Sequence, residues 1–410
     1  MKSIVTSILL MIFSSAIIAG SGKNTQSVFG DPALYKEAQL NLVTSNEDVP
    51  PPKYYFHVSY PLPNGYPNKG VEGHNEVGGT VYVYTSESTG TIKKPIIMPE
   101  AFDPENSREW DSLYIRMNAQ NTLECLRSLR YDFIVIDYDE GGNYIEHNAY
   151  LLAKVIEWVN TVKATPEKNV VFGPSMGGLV ARYALTYMEN QNINHDTRLF
   201  ISFDSPQYGA NVPLGLQYMI RYWKEYLLGN DAAGKFKILE TPAARQMLLY
   251  HIINTRETGF ISPDPLRISF EQNLHALGDW PTKLRKIAIS NGSGNGLFQL
   301  KNDNVTRLQP GDKIMDFSVT ASIFSRVWAL PDVVSTRIAR CKAGADTDPN
   351  DYTVSGTRPF DNMPGGYRGF TGEMKDVTNT AGAFKQCFIP TFSALAIATN
   401  ENYYSPRFDP

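Results

Sequence analysis

The residues best placed to do chemistry begin with one serine. Gly173-Pro174-Ser175-Met176-Gly177 fits the pattern G-x-S-x-G. It follows the apolar run Asn169-Val-Val-Phe172 and opens the helical stretch from Met176 to Met188. A strand that turns at once into a helix leaves no room for side chains beside the serine, hence glycine on both sides. Such a turn lifts the hydroxyl to the carboxyl ends of the strands and points the helix N–H groups at whatever the serine attacks. The chemistry this suits is covalent attack on a carbonyl carbon. The negative oxygen that develops needs two N–H donors. Met176 is expected to supply one, and Ala101 or Phe102, in the loop Pro99-Glu100-Ala101-Phe102-Asp103, the other.

A serine of this kind also needs a base, and a carboxylate to orient that base. Asp204 ends the apolar run Leu199-Phe-Ile-Ser-Phe203 on the same expected edge and is the favoured acid. Asp303 is the alternative, and a strand-ending turn cap is the structural reading of Asp204. The base is harder to find. The six histidines are His57, His74, His147, His195, His251 and His275, and the last 135 residues hold none. His195 lies beyond a helix of about 15 residues, about 22 Å long, and so at the far end of the sheet. His147 follows a strand on the correct edge but precedes the serine. His251 and His275 read as surface or packing residues.

Here the sequence resembles a family. Pro95-Ile-Ile-Met-Pro-Glu-Ala-Phe-Asp-Pro104 and Gly173-Pro-Ser-Met-Gly-Gly-Leu-Val-Ala-Arg-Tyr-Ala184 look like secreted bacterial lipases and esterases of the α/β-hydrolase superfamily. They are similar also to the esterases that remove acyl chains from glycolipid anchors. Phe203-Asp-Ser-Pro-Gln-Tyr-Gly209 resembles a strand-end motif of the same lipases. The similarity covers roughly residues 80 to 300, with Phe388-Ile-Pro-Thr391 the one familiar segment beyond. It implies a carboxylic-ester hydrolase working through an acyl-enzyme on Ser175. An acyltransferase or peptidase on the same turn is the alternative within that chemistry. A non-catalytic binding protein is the alternative outside it. Because relatives are expected to carry the histidine past the Phe388 motif, the chain is expected to stop short of its base.

These residues need a sheet to hold them. Pro95–Met98, Phe133–Asp137, Asn169–Phe172, Leu199–Phe203 and Lys286–Ser290 are continuous apolar runs. They alternate with helical stretches at 110–130, 148–162 and 176–188. Unbroken apolar strands alternating with helices predict a mostly parallel sheet covered on both faces. Residues 212–280 read as a helical, lid-like insertion, whose aromatic row runs from Tyr218 to Leu227. Residues 312–342 read as antiparallel strands.

Residues 1–21 read as a cleaved secretory signal: Lys2, an apolar stretch to Ile18, then Ala19-Gly20-Ser21. Residues 22–75 read as an irregular lead-in and 76–410 as the α/β domain, with Tyr54–Tyr60 and Thr80–Tyr84, rich in β-branched and aromatic residues, reading as early strands. The expected location is periplasmic or extracellular, where one disulfide, Cys341–Cys387, is permitted and Cys125 stays a core thiol. The net charge of −4 without basic clusters argues against nucleic acid. No metal or cofactor is expected. The expected substrate is a small-molecule or lipid ester, and contact with a lipid surface is compatible with it.

Overall fold

The computed structural model describes residues 49–212, 217, 237–251, 263–292, 305–306, 313–320, 335–342, 364–369 and 385–397. The expected signal at 1–21, the aromatic row from Tyr218 to Leu227, Asp303 and the segment after Ile397 lie outside these residues.

Seven strands form the central sheet: β1 (Tyr54–Pro61), β2 (Glu76–Tyr84), β3 (Pro95–Pro99), β4 (Asp132–Tyr138), β5 (Asn169–Pro174), β6 (Thr197–Phe203) and β7 (Arg285–Ile289). Their spatial order is β1-β2-β4-β3-β5-β6-β7. β2 runs antiparallel to β1 and to β4; β4, β3, β5, β6 and β7 are mutually parallel. The sheet therefore starts at Tyr54, inside the stretch counted as lead-in. The aromatic and β-branched run Tyr54–Tyr60 finds a full-length partner in β2, and pairing makes it a strand.

The apolar runs are buried because helices cover both faces. On one face lie α1 (Trp110–Met117) and α2 (Thr122–Ser128), packed on Ile96, Met98, Phe133, Val135 and Val170. On the other lie α3 (Ile145–Val162) and α4 (Met176–Asn190), packed on Ile97, Ile134, Ile136, Val171 and Phe200. Successive strand residues thus serve opposite layers, as the period of two requires. Each fully buried Ile or Leu contributes about 1.5–3 kcal/mol, so the central strands carry much of the stability.

The single helix expected over 110–130 is two helices. Gln120 and Asn121 adopt φ of 57° and 60°, and the Asn118 side chain accepts the Glu124 N–H at 3.2 Å. Asparagine tolerates left-handed backbone and bonds locally, which breaks the helix although the apolar spacing continues.

Beyond α4 come α5 (Pro242–Met247) and α6 (Pro265–Leu277), which pack together, α6 also against α4. β8 (Lys313–Thr320) pairs antiparallel with β9 (Ser335–Lys342), as expected of 312–342. β10 (Gly365–Gly369) pairs with β11 (Lys385–Pro390), which leads into the short helix α7 (Thr391–Ala394). The Cys341 side chain lies outside the described residues, and with it the expected Cys341–Cys387 bridge; Cys387, in β11, is buried with Leu249 and Phe392.

Candidate active site

The turn from β5 into α4 puts Ser175 at φ 51°, ψ −125°. This backbone is strained for any residue with a Cβ. The strain is held from both sides. The Ser175 N–H donates to the Phe203 carbonyl at 2.9 Å, and the Gly178 N–H to the Ser175 carbonyl at 3.0 Å. Two glycines make the geometry sterically accessible. A Cβ on Gly173 would stand 2.5 Å from the Gly177 oxygen and 2.6 Å from the Gly178 nitrogen; one on Gly177 would stand 2.6 Å from the Pro99 oxygen. Ser175 is buried at 5% exposure. Met176 opens α4, so its N–H has no intrahelical acceptor.

Asp204 is brought to the same edge. Pro174 pairs with Phe203 across β5 and β6, so Ser175 and Asp204 each follow directly on neighbouring parallel strands, which lie about 4.8 Å apart. The Asp204 backbone turns at φ 44°, and its N–H donates to the Ile289 carbonyl of β7 at 2.7 Å. Its carboxyl oxygens accept from the Asn291 backbone N–H and from the Asn291 side-chain amide, both at 3.0 Å. Burial pushes its pKa up to about 6 against these two hydrogen bonds, which pull it down. The segment Gly365–Gly366 crosses beside it: a Cβ on Gly366 would lie 3.3 Å from Asp204 Oδ2.

A prediction follows from that burial. An aspartate that holds its proton more tightly folded than unfolded favours the folded state at acid pH and weighs against it once ionised. The contribution declines from about pH 4, where the unfolded chain ionises, to about pH 6, where the folded one does. Asp204→Asn is therefore expected to unfold at higher denaturant than the parent at neutral pH, by on the order of 2 kcal/mol, and to lose that advantage near pH 4. Urea melts at the two pH values check this; a gain of equal size at both would show that the burial of charge is not the cause.

The loop after β3 carries the other expected donors. The Glu100 N–H is taken by the Ile136 carbonyl at 3.0 Å. The Pro99 and Glu100 oxygens face Gly177 of α4. Phe102 is buried, Ala101 half-buried. The loop is tied from within: Asp103 accepts from the Ser107 and Arg108 N–H groups at 2.8 and 2.9 Å. Arg108 donates to the Ala101 carbonyl, the Phe102 carbonyl and Glu100. Glu100 shares its buried position with Asp137, whose pKa burial pushes up to about 6.

All six imidazoles lie elsewhere. His147, in α3, bonds the Pro67 carbonyl through Nε2 at 2.9 Å, and burial pushes its pKa down to about 4. His195 bonds Glu189 at 3.2 Å beside Thr197, the first residue of β6, at the end of the sheet away from Ser175. His251 is buried against the Leu239 carbonyl at 2.8 Å. His57 meets Asp139, His74 meets Glu140 and His275 meets Asp279. Among the described residues no hydrogen bond reaches the Ser175 hydroxyl.

Two residues that matter here went unread in the sequence. Asn291 stands one strand beyond Asp204 on the same edge, and being the first polar residue after that apolar run is the signal that could have found it. Arg108 had no local signal, since its acceptors are backbone carbonyls of a loop.

Strand order, the antiparallel β2 and the serine at the strained β5–α4 turn define the α/β-hydrolase fold. No family model and no curated protein sequence matches the chain. Among solved structures, Est1E from Butyrivibrio proteoclasticus is 15% identical with a TM-score of 0.24, and the match covers 32% of this chain. It spans about half of that protein, 47% of its length. The Pyrobaculum calidifontis esterase is 14% identical over 58% of this chain and 75% of its own, TM-score 0.28. EstE1, a carboxylesterase cloned from a metagenomic library, is 10% identical over 58% of this chain and 79% of its own, TM-score 0.30. Likenesses this distant say nothing of activity, which has to be argued from the site.

Proposed function

We propose that this protein is a serine hydrolase that cleaves carboxylic esters through an acyl-enzyme on Ser175. The observation that carries the proposal is the backbone of that residue, φ 51° and ψ −125°, held at the mouth of α4. A strained serine presented at the carboxyl edge of a parallel sheet has a use in nucleophilic attack and none in packing. The Ser175 oxygen bonds the ester carbonyl carbon, the alcohol departs with a proton, and water then splits the acyl-serine to the free acid. Met176 N–H is one donor to the developing oxyanion. Phe102 N–H is the other: the Glu100 carbonyl faces Gly177, so the N–H across that peptide, that of Ala101, is directed away. Asp204 is the candidate acid.

Because no imidazole of the chain bonds Ser175, turnover is expected to be slow. Oxyanion hole and binding without a full triad give about 10³–10⁴ over water. A second reading, a binding protein without catalysis, is favoured by that same observation and by the full engagement of Asp204 with Asn291. Prolonged exposure to a fluorophosphonate probe, followed by mass mapping of the peptide that holds Ser175, separates the two. The hydrolase reading expects the label on Ser175. A protein that refuses it while remaining folded is the binding protein.

A further inference from the structure

The serine-hydrolase reading needs a second oxyanion donor held still in a loop that has left the sheet. We infer that Arg108 is the positioning residue that aims it, by gripping the carbonyls of Ala101 and Phe102 and so turning the Phe102 N–H toward Ser175. The inference rests on that reading of Ser175.

β3 ends at Pro99, and the Glu100 N–H still bonds the Ile136 carbonyl of β4 at 3.0 Å. The Ala101–Phe102 peptide lies beyond that bond, where Arg108 holds it. Its Nη1 donates to the Ala101 carbonyl at 3.3 Å and its Nη2 to the Phe102 carbonyl at 2.6 Å. In a planar trans peptide the C=O and the following N–H point opposite ways. Drawing the Ala101 oxygen toward the guanidinium therefore turns the Phe102 N–H away from it. The guanidinium is inside, its side chain 5% exposed, and the neighbouring Pro99 and Glu100 oxygens lie against the first turn of α4.

The alternative is that Arg108 merely neutralises buried carboxylates, and the geometry weighs against it. A guanidinium placed for ion pairing presents two parallel N–H groups to one carboxylate. Here Nη1 reaches Glu100 Oε1 at 3.1 Å through one atom only, and the Nε, buried and without a hydrogen bond, stops 3.9 Å from Asp103. The shortest contact is to a neutral carbonyl. Asp103 meanwhile spends Oδ2 on the Ser107 and Arg108 N–H groups and Oδ1 on the Ser107 hydroxyl, closing the loop that carries the arginine. A lysine would keep the charge beside Glu100, but a single ammonium lacks the planar fork that spans two carbonyls.

The test compares the parent with Arg108→Lys and Arg108→Gln. With the fluorophosphonate probe, the second-order labelling rate at Ser175 is expected to fall roughly tenfold to a hundredfold in Arg108→Lys, less than the loss of a donor outright, which is about 10²–10³. Affinity for an alkyl boronic acid, which forms a tetrahedral anion on the serine, should weaken in parallel, while affinity for an uncleaved ether of the same shape should not. Labelling at the parental rate in both variants would overturn the inference. A crystal structure of Arg108→Lys reads the same claim without chemistry: a rotated Ala101–Phe102 peptide supports it, an unmoved one overturns it. Failure of the hydrolase reading looks different, as a parent protein that takes no label at all, and the peptide comparison still decides the role of Arg108.

Discussion

Ser175→Ala is expected to erase the fluorophosphonate label from the peptide containing residue 175, with the fold intact. The reason is covalent: without the oxygen there is no atom for the phosphorus to bond, whereas binding of the probe is left in place. Slow ester hydrolysis should vanish with it; in a complete triad, removal of the nucleophile costs on the order of 10⁶-fold, and here the drop is limited by the lower starting rate. Ser175→Gly adds a structural check. The residue sits at φ 51°, where glycine is at ease and a Cβ is not, so the glycine variant should melt higher than the alanine one by about 1–3 kcal/mol. Label persisting in Ser175→Ala, or identical melts of the two variants, would show respectively that another residue reacts or that the turn is unstrained.

Gly173→Ala is expected to damage stability and site together. The new Cβ would stand 2.5 Å from the Gly177 oxygen and from the Gly178 Cα, all backbone that cannot rotate aside. Relief requires moving the start of α4 away from β5. Overpacking of this kind costs about 1–3 kcal/mol, with more where backbone has to shift. It also misplaces the Met176 N–H relative to the serine oxygen. Urea melts and labelling rates measured on the same preparation should both fall. A variant that melts like the parent and labels like it would mean that the close approach of turn and helix is not required.

Much of the architecture was legible because its signals are local. The runs at 95–98, 133–137, 169–172, 199–203 and 286–290 contain almost no polar break, and only a strand covered on both faces tolerates that. The turn glycines at 173 and 177 mark a close approach wherever the chain goes next. The edge position of Asp204 follows from its place one residue past an apolar strand. The break between α1 and α2 was missed because apolar spacing outweighed the local bonding of Asn118, whereas the early strand at Tyr54–Tyr60 was legible from its aromatic and β-branched residues.

What the sequence by itself determined is the mounting of Ser175, the proposed nucleophile: a serine between glycines, behind a buried strand and ahead of a helix, takes up a strained turn that is set within about ten residues. The partners of the site were decided by tertiary structure alone. Asn291 reaches Asp204 across 87 positions, and Arg108 acts on carbonyls whose direction depends on where β3 leaves the sheet. The histidines show the same limit. Their number and order raised the question of the base, but their destinations, Pro67, Glu189 and Leu239 among them, are set by contacts between elements far apart in the chain. Local backbone preference acts between neighbours and can be read in order; hydrogen bonds and burial act between surfaces that meet only once the sheet has assembled.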